Sequence, residues 1–154
     1  MRHARLIARL DVKAPFLVKG IQFEGLRKLG DPSEYARHYY LQGIDEIYYE
    51  DTVASLYERN NLADILRRTT EEVFIPITVG GGLRDLKDIA TALKNGADKV
   101  AVNTAAIKRP DFINEIIDQF GSQCLVLSVQ AKRKGASWEA YYDNGREPSG
   151  LDVV

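Results

Sequence analysis

An α/β fold, a parallel sheet with helices packed on its outside, is predicted by three features of the 154-residue sequence. Short apolar runs of strand length occur at about Arg5 to Asp11, Asp45 to Asp51, Ile75 to Val79, Asp98 to Asn103 and Cys124 to Gln130. Helical patterns bounded by capping residues lie between them. One unit also recurs: "GIDEIYYED" at Gly43 and "GADKVAVNT" at Gly96 share a helix end, a strand and a polar tip. Repetition of like units favours a barrel over an open sheet. The expectation is therefore a parallel half-barrel of the TIM-barrel type. Residues 1–154 form a single domain: about four βα units over 1–122, then a fifth strand and a hairpin-like loop over 123–154.

Each element has a local reason. The first helix, "DPSEYARHYYLQG", opens with Asp31 as N-cap and Pro32 in the first turn, and closes on Gly43. "RDLKDIATALKNG" starts at Asp85 and ends just before Gly96, and "RPDFINEIIDQFG" uses Pro110 and Gly121 in the same way. After the fifth strand, "SWEAYYD" is strand-like and "DNGR" is a turn signal, so the segment "AKRKGASWEAYYDNGREPSG" is expected to form a small hairpin.

Side chains alternate faces along a strand, so one parity should be apolar where it meets the helices. Leu6, Ala8 and Leu10 share a parity, as do Ile77 with Val79, Val100 with Val102, and Leu125, Leu127 with Val129. The opposite parity is unusually polar: Arg5, Ile7, Arg9 and Asp11; Glu46, Tyr48 and Glu50; Thr78 and Gly80; Lys99, Ala101 and Asn103; Val126, Ser128 and Gln130. The expected interior carries charge. Arg9 and Glu50, on neighbouring strands, read as a compensated internal pair, since either charge alone would be costly there, and the Arg9 guanidinium is also expected within reach of Asp11, one step along the same face.

Composition narrows the function. A net charge of -1 with acids and bases interspersed gives no argument for nucleic acid or a membrane surface. The amino terminus "MRHARLIARLD" places charges where a signal peptide needs apolar residues. With one cysteine, Cys124, no disulfide framework is available. The chain reads as soluble and cytoplasmic, with no cofactor and no metal site expected. Chemistry in such a fold gathers at the carboxyl ends of the strands, here Asp11, Asp51, Gly80 to Gly82, Asn103 with Thr104, and Gln130. The run "FIPITVGGGLRD" ends a strand in three glycines before a helix, an arrangement that suits a phosphate.

The segments "ARLDVKAPFLVKG", "GDPSEYARHYYLQGIDEIYYEDTVAS", "IPITVGGGLRD", "GADKVAVNTAA" and "FGSQCLVLSVQAKR" resemble the amino-terminal part of the cyclase subunit of imidazole glycerol phosphate synthase, the HisF family. The resemblance covers nearly the whole chain in order. It implies a (βα)8 barrel that takes ammonia from a glutaminase partner and cyclises a phosphorylated ribulosyl intermediate in histidine biosynthesis. It places Asp11 at a catalytic acid/base position, and Gly81, Gly82, Asn103 and Thr104 at a phosphate site. Lys19 falls on a mobile substrate loop after the first strand. Arg5, Glu46 and Lys99 fall in the charged ring at the closed end, and Asp98 near the partner's interface.

Two departures stand against the agreements. Where the family has a second catalytic aspartate this chain has Gln130, which cannot exchange a proton near neutral pH. The family's chain is also longer, and its second phosphate site lies on strands not present here. Three functions follow as expectations: a half-barrel relative that keeps a phosphosugar or phosphate site with cyclase activity weak or absent; one half of an active cyclase/lyase completed by another chain; or a non-catalytic structural or glutaminase-docking module. Bare sheet edges make a homo-oligomer the expected state.

Overall fold

The computed structural model describes residues 4–21, 25–54, 62–143 and 145–153. In chain order, β1 (Ile7–Lys13) leads into a hairpin, β2 (Phe16–Ile21) and β3 (Gly25–Gly30), followed by α1 (Pro32–Leu41) and β4 (Glu46–Asp51). Then come α2 (Ala63–Thr70), β5 (Ile77–Gly80), α3 (Leu86–Lys94), β6 (Lys99–Val102), α4 (Thr104–Lys108), α5 (Asp111–Phe120) and β7 (Leu125–Leu127). Three antiparallel strands close the described chain: β8 (Gln130–Lys134), β9 (Ser137–Tyr142) and β10 (Glu147–Asp152).

The large sheet has seven strands in the order β3-β2-β1-β4-β5-β6-β7. Strands β1, β4, β5, β6 and β7 are parallel and adjacent in chain order. Sequential parallel strands joined by helices are the arrangement of a partial TIM-type barrel. The apolar parity does what the sequence predicts at its centre. Leu10, Ile77, Val79, Val100 and Val102 are buried in one core with Ala36, Ile65, Leu66, Ile89, Phe112 and Ile116 from the helices.

Capping fixes the helix starts. The Asp31 carboxylate accepts from the Ser33 N–H at 2.8 Å with Pro32 in the first turn, and Asp85 accepts from the Asp88 N–H at 2.8 Å. The repeated unit also has a physical meaning. Gly43 and Gly96 take φ of +83° and +108°, turning the chain out of the preceding helix. The next aspartate then grips the neighbouring strand at two points. Asp45 accepts from the Leu6 N–H at 2.7 Å and donates its own N–H to the Leu6 carbonyl at 3.1 Å. Asp98 repeats this on Ile77, at 2.8 Å in both directions. Each grip sets the register of a parallel pair.

Four expectations need correction. Phe16–Ile21 and Gly25–Gly30 are paired antiparallel strands rather than a loop: Val12 pairs with Leu17, and Lys19 pairs with Arg27. The fifth strand stops at Leu127, and Gln130 opens the small sheet opposite Tyr141. The carboxyl-terminal segment has three strands where two were expected, and Asn144 of its turn lies outside the described residues. Leu6, Leu127 and Val129, assigned by parity to the helix-facing core, are 63%, 50% and 52% exposed: Leu6 precedes β1, Leu127 ends the edge strand β7 and Val129 follows it. Among the described residues no helix is long and apolar enough to cross a membrane.

Candidate functional site

At the carboxyl ends of β4, β5 and β6 the chain forms a cleft of about 440 Å³. Gly81, Gly82, Asn103 and Thr104, expected together from the sequence, all line it. Arg84, Lys108 and Arg109 line the same space, as do Arg9, Tyr48, Glu50, Asp51, Ser128, Gln130 and Asp143. Asp11 and Lys19 are not part of its lining.

The glycine run is required by the chain itself. Gly81 and Gly82 adopt φ of +87° and +70°, a region that side chains other than glycine rarely enter. A Cβ on Gly81 would overlap the backbone carbonyl of Asp51, and one on Gly82 would overlap Ala54. At Gly80 a Cβ would collide with the Glu50 carboxylate and the Tyr48 hydroxyl. The glycines thus let the end of β4 pack against β5, a need separate from any ligand.

Across the cleft, both polar atoms of the Asn103 amide are buried and have no hydrogen-bond partner among the described residues. Gln130 Oε1 is in the same condition. An unpaired buried polar group costs about 1–3 kcal/mol, so these atoms mark where a polar partner belongs. Thr104 Oγ1, beside Asn103, accepts from the Asp143 N–H at 3.3 Å. Three cations stand nearby. Arg84 donates to the Ala54 carbonyl at 3.1 Å, Lys108 lies over the Tyr142 ring at 5.0 Å, and Arg109 pairs with Glu115 at 2.6 Å.

The floor corrects one expectation. Arg9 donates to Asp11 at 2.8 Å, remains about half exposed, and lies over the Tyr48 ring at 5.5 Å; no ion pair joins it to Glu50 among the described residues. Register explains this. Arg9 stands opposite Tyr48 and Asp11 opposite Glu50, so Asp11, on the same face of the same strand, is the easier carboxylate for Arg9 to reach. Glu50 instead accepts from the Tyr48 hydroxyl at 2.5 Å. Burial pushes the Glu50 carboxyl above its ordinary range; the Tyr48 hydrogen bond and Arg9 oppose this, while Asp11 and Asp51 add to it. Burial and the Glu50 charge likewise push the Tyr48 phenol up.

At the opposite, amino-terminal ends of the strands, Arg5, Glu46 and Lys99 meet as expected. Glu46 is only 3% exposed and accepts from Arg5 at 2.6 Å, Lys99 at 2.7 Å and the Thr78 hydroxyl at 2.5 Å. Burial pushes its carboxyl up, but the Lys99 and Thr78 hydrogen bonds and the two positive charges outweigh this and hold it below the usual range. Asp98, assigned to a partner interface, spends its carboxylate on the register grip with Ile77. Sequence reasoning gave no role to Arg84, Lys108 and Arg109. Their signal is position: Arg84 follows the glycine run, and Lys108 and Arg109 end the short helix that Asn103 begins.

Comparison with known proteins gives this geometry a context. A family described as histidine biosynthesis protein matches residues 5–154. An imidazole glycerol phosphate synthase subunit HisF from Legionella pneumophila is 59% identical over 155 residues, covering 100% of this chain and 73% of that protein. The chain belongs to the HisF family. HisF subunits from Myxococcus xanthus and Dehalococcoides mccartyi are 49% and 46% identical, with 97% and 100% of this chain covered. The chain spans 59% and 61% of the length of those two relatives.

Proposed function

We propose that this HisF-family chain is a half-barrel relative of the cyclase subunit of imidazole glycerol phosphate synthase whose cleft binds a phosphorylated sugar, or inorganic phosphate, with cyclase chemistry weak or absent. The observation that carries the reading is the unpartnered Asn103 amide beside Thr104, in a cleft that Gly81, Gly82, Arg84, Lys108 and Arg109 also line. Left-handed glycine backbone, an amide donor and three cations form an environment suited to a phosphate dianion.

Weak cyclase chemistry follows from two residues. Gln130 cannot carry a proton near neutral pH, and Asp11 is engaged by Arg9. The Arg5, Glu46 and Lys99 cluster at the other end is the natural face for a glutaminase partner, as in the family's resemblance. Exposure of Ile7, Leu127 and Val129 supports association with a second copy, which light scattering at micromolar concentration would report as a mass above the monomer's. This reading places the protein in the cytoplasm, where the thiol of Cys124 stays reduced.

Calorimetry tests the central reading. Inorganic phosphate is expected to bind, and the double variant Asn103→Ala with Thr104→Ala to bind it at least about tenfold more weakly, the worth of one or two charge-assisted hydrogen bonds. Equal affinity in the two proteins would remove the phosphate site from this cleft.

A further inference from the structure

Tyr48 and Glu50 pair on the cleft floor. Both are inward-facing residues of β4, and both sit in the notch that Gly80 leaves open, where a Cβ would overlap their oxygens. Glu50 is a cleft-lining carboxylate with one hydrogen bond among the described residues, from Tyr48 at 2.5 Å. A carboxylate offers about four acceptor positions, so most of this one's capacity is unused although it is half-buried. The charged and titratable groups around it are Arg9 and Asp11 on β1 and Tyr48 and Asp51 on β4; β5 contributes only Gly80. Ser128, from the segment after β7, lines the same cleft. Arg9 is committed to Asp11 and does not satisfy Glu50.

The cleft therefore holds two unlike features side by side: Gly81, Gly82, Asn103 and three cations line it, and over Gly80, next to that turn, sits an under-used acceptor. We propose that Glu50, braced by Tyr48 over Gly80, is a specificity residue that accepts hydrogen bonds from the hydroxyl-bearing end of a phosphorylated sugar, so that the cleft distinguishes a phosphosugar from bare phosphate. This rests on the phosphosugar reading above and adds a second contact to it. Hydroxyl donors match the site because each supplies a proton to a carboxylate oxygen that water reaches poorly.

Calorimetry with two probes, inorganic phosphate and ribose 5-phosphate, separates the possibilities. Wild-type protein is expected to bind ribose 5-phosphate about tenfold or more tightly than phosphate, the worth of a charge-assisted hydrogen bond. Glu50→Leu should remove that preference, and Glu50→Gln, which keeps an acceptor oxygen without the charge, should leave part of it. Phosphate affinity should be undiminished in both, which also shows that the variants are folded. A preference unchanged in Glu50→Leu, with phosphate binding intact, overturns the role of Glu50 and leaves the phosphate site standing. Failure of both probes to bind wild-type protein overturns the phosphosugar reading and this inference together.

Discussion

Replacing Lys99 by Met isolates the energetics of the buried charge cluster. Glu46 is 3% exposed and takes hydrogen bonds from Lys99, Arg5 and Thr78, while the Lys99 side chain is 24% exposed and that of Arg5 57%. Loss of Lys99 leaves the carboxylate buried with a partner that is mostly in water. Removing one partner of a fully buried pair costs about 3–5 kcal/mol, and an exposed pair contributes about 0–1 kcal/mol. The retained Arg5 and Thr78 contacts place Lys99→Met between these limits, at about 2–3 kcal/mol, whereas Arg5→Met should lose under about 1 kcal/mol because its side chain is already solvated. Urea unfolding at pH 7 reads both differences, provided m stays constant.

The pH dependence carries a sign. The Glu46 carboxyl lies below its ordinary range in the folded protein, so its stabilisation is present above the unfolded carboxyl's pKa and is lost as pH falls through the folded value. The gap between wild type and Lys99→Met should therefore be widest near neutrality and shrink in acid. A Lys99→Met protein within about 0.5 kcal/mol of wild type at pH 7, an ordinary surface-substitution effect, would refute the reasoning. So would a deficit that grows as the pH is lowered.

Three further substitutions test other parts of the structure. Gly81→Ala must adopt φ near +87° and displace the Asp51 carbonyl, and is expected to lose about 2 kcal/mol or more in urea unfolding; a neutral result would mean that β4 and β5 can separate there. Tyr49 is fully buried, with its hydroxyl 2.8 Å from Thr69 Oγ1 and donating to the Pro32 carbonyl at 3.2 Å, so Tyr49→Phe should cost about 1–2 kcal/mol and Thr69→Val a similar amount, with the double variant less than additive. Asp31→Ala removes the α1 cap and the Arg68 pair and should lower stability by about 1 kcal/mol, read by thermal melting followed at a helical signal; an unchanged melt would contradict the assigned cap.

Where local chemistry decides structure, the sequence was readable. Asp31 with Pro32, and Asp85 with Gly96, mark helix limits because capping needs only residues a few positions apart. Strand parity located the core because each parallel strand has one face against helices. The β2–β3 hairpin was not legible: β2 has an apolar start, but its partner "GLRKLG" is largely exposed and carries no alternation to announce a strand. The reach of Arg9 to Asp11 was legible on the strand, but its failure to pair with Glu50 was not. Periodicity puts Arg9, Asp11, Tyr48 and Glu50 on one face, but only the register between β1 and β4 decides which carboxylate the guanidinium meets. The cleft's glycine turn and polar tip were visible as motifs, while Arg84, after the glycine run, and Lys108 and Arg109, at the end of α4, belong to it only in the folded chain.

Amide chemical-shift mapping during titration with ribose 5-phosphate tests the phosphosugar cleft most directly. The largest shifts are expected at Gly81, Gly82, Asn103 and Thr104, with smaller ones at Tyr48 and Glu50, and they should saturate with a single affinity. Shifts centred instead on the exposed basic strand Lys132 to Lys134, or no saturable shift anywhere, would contradict a phosphosugar site at the ends of β5 and β6.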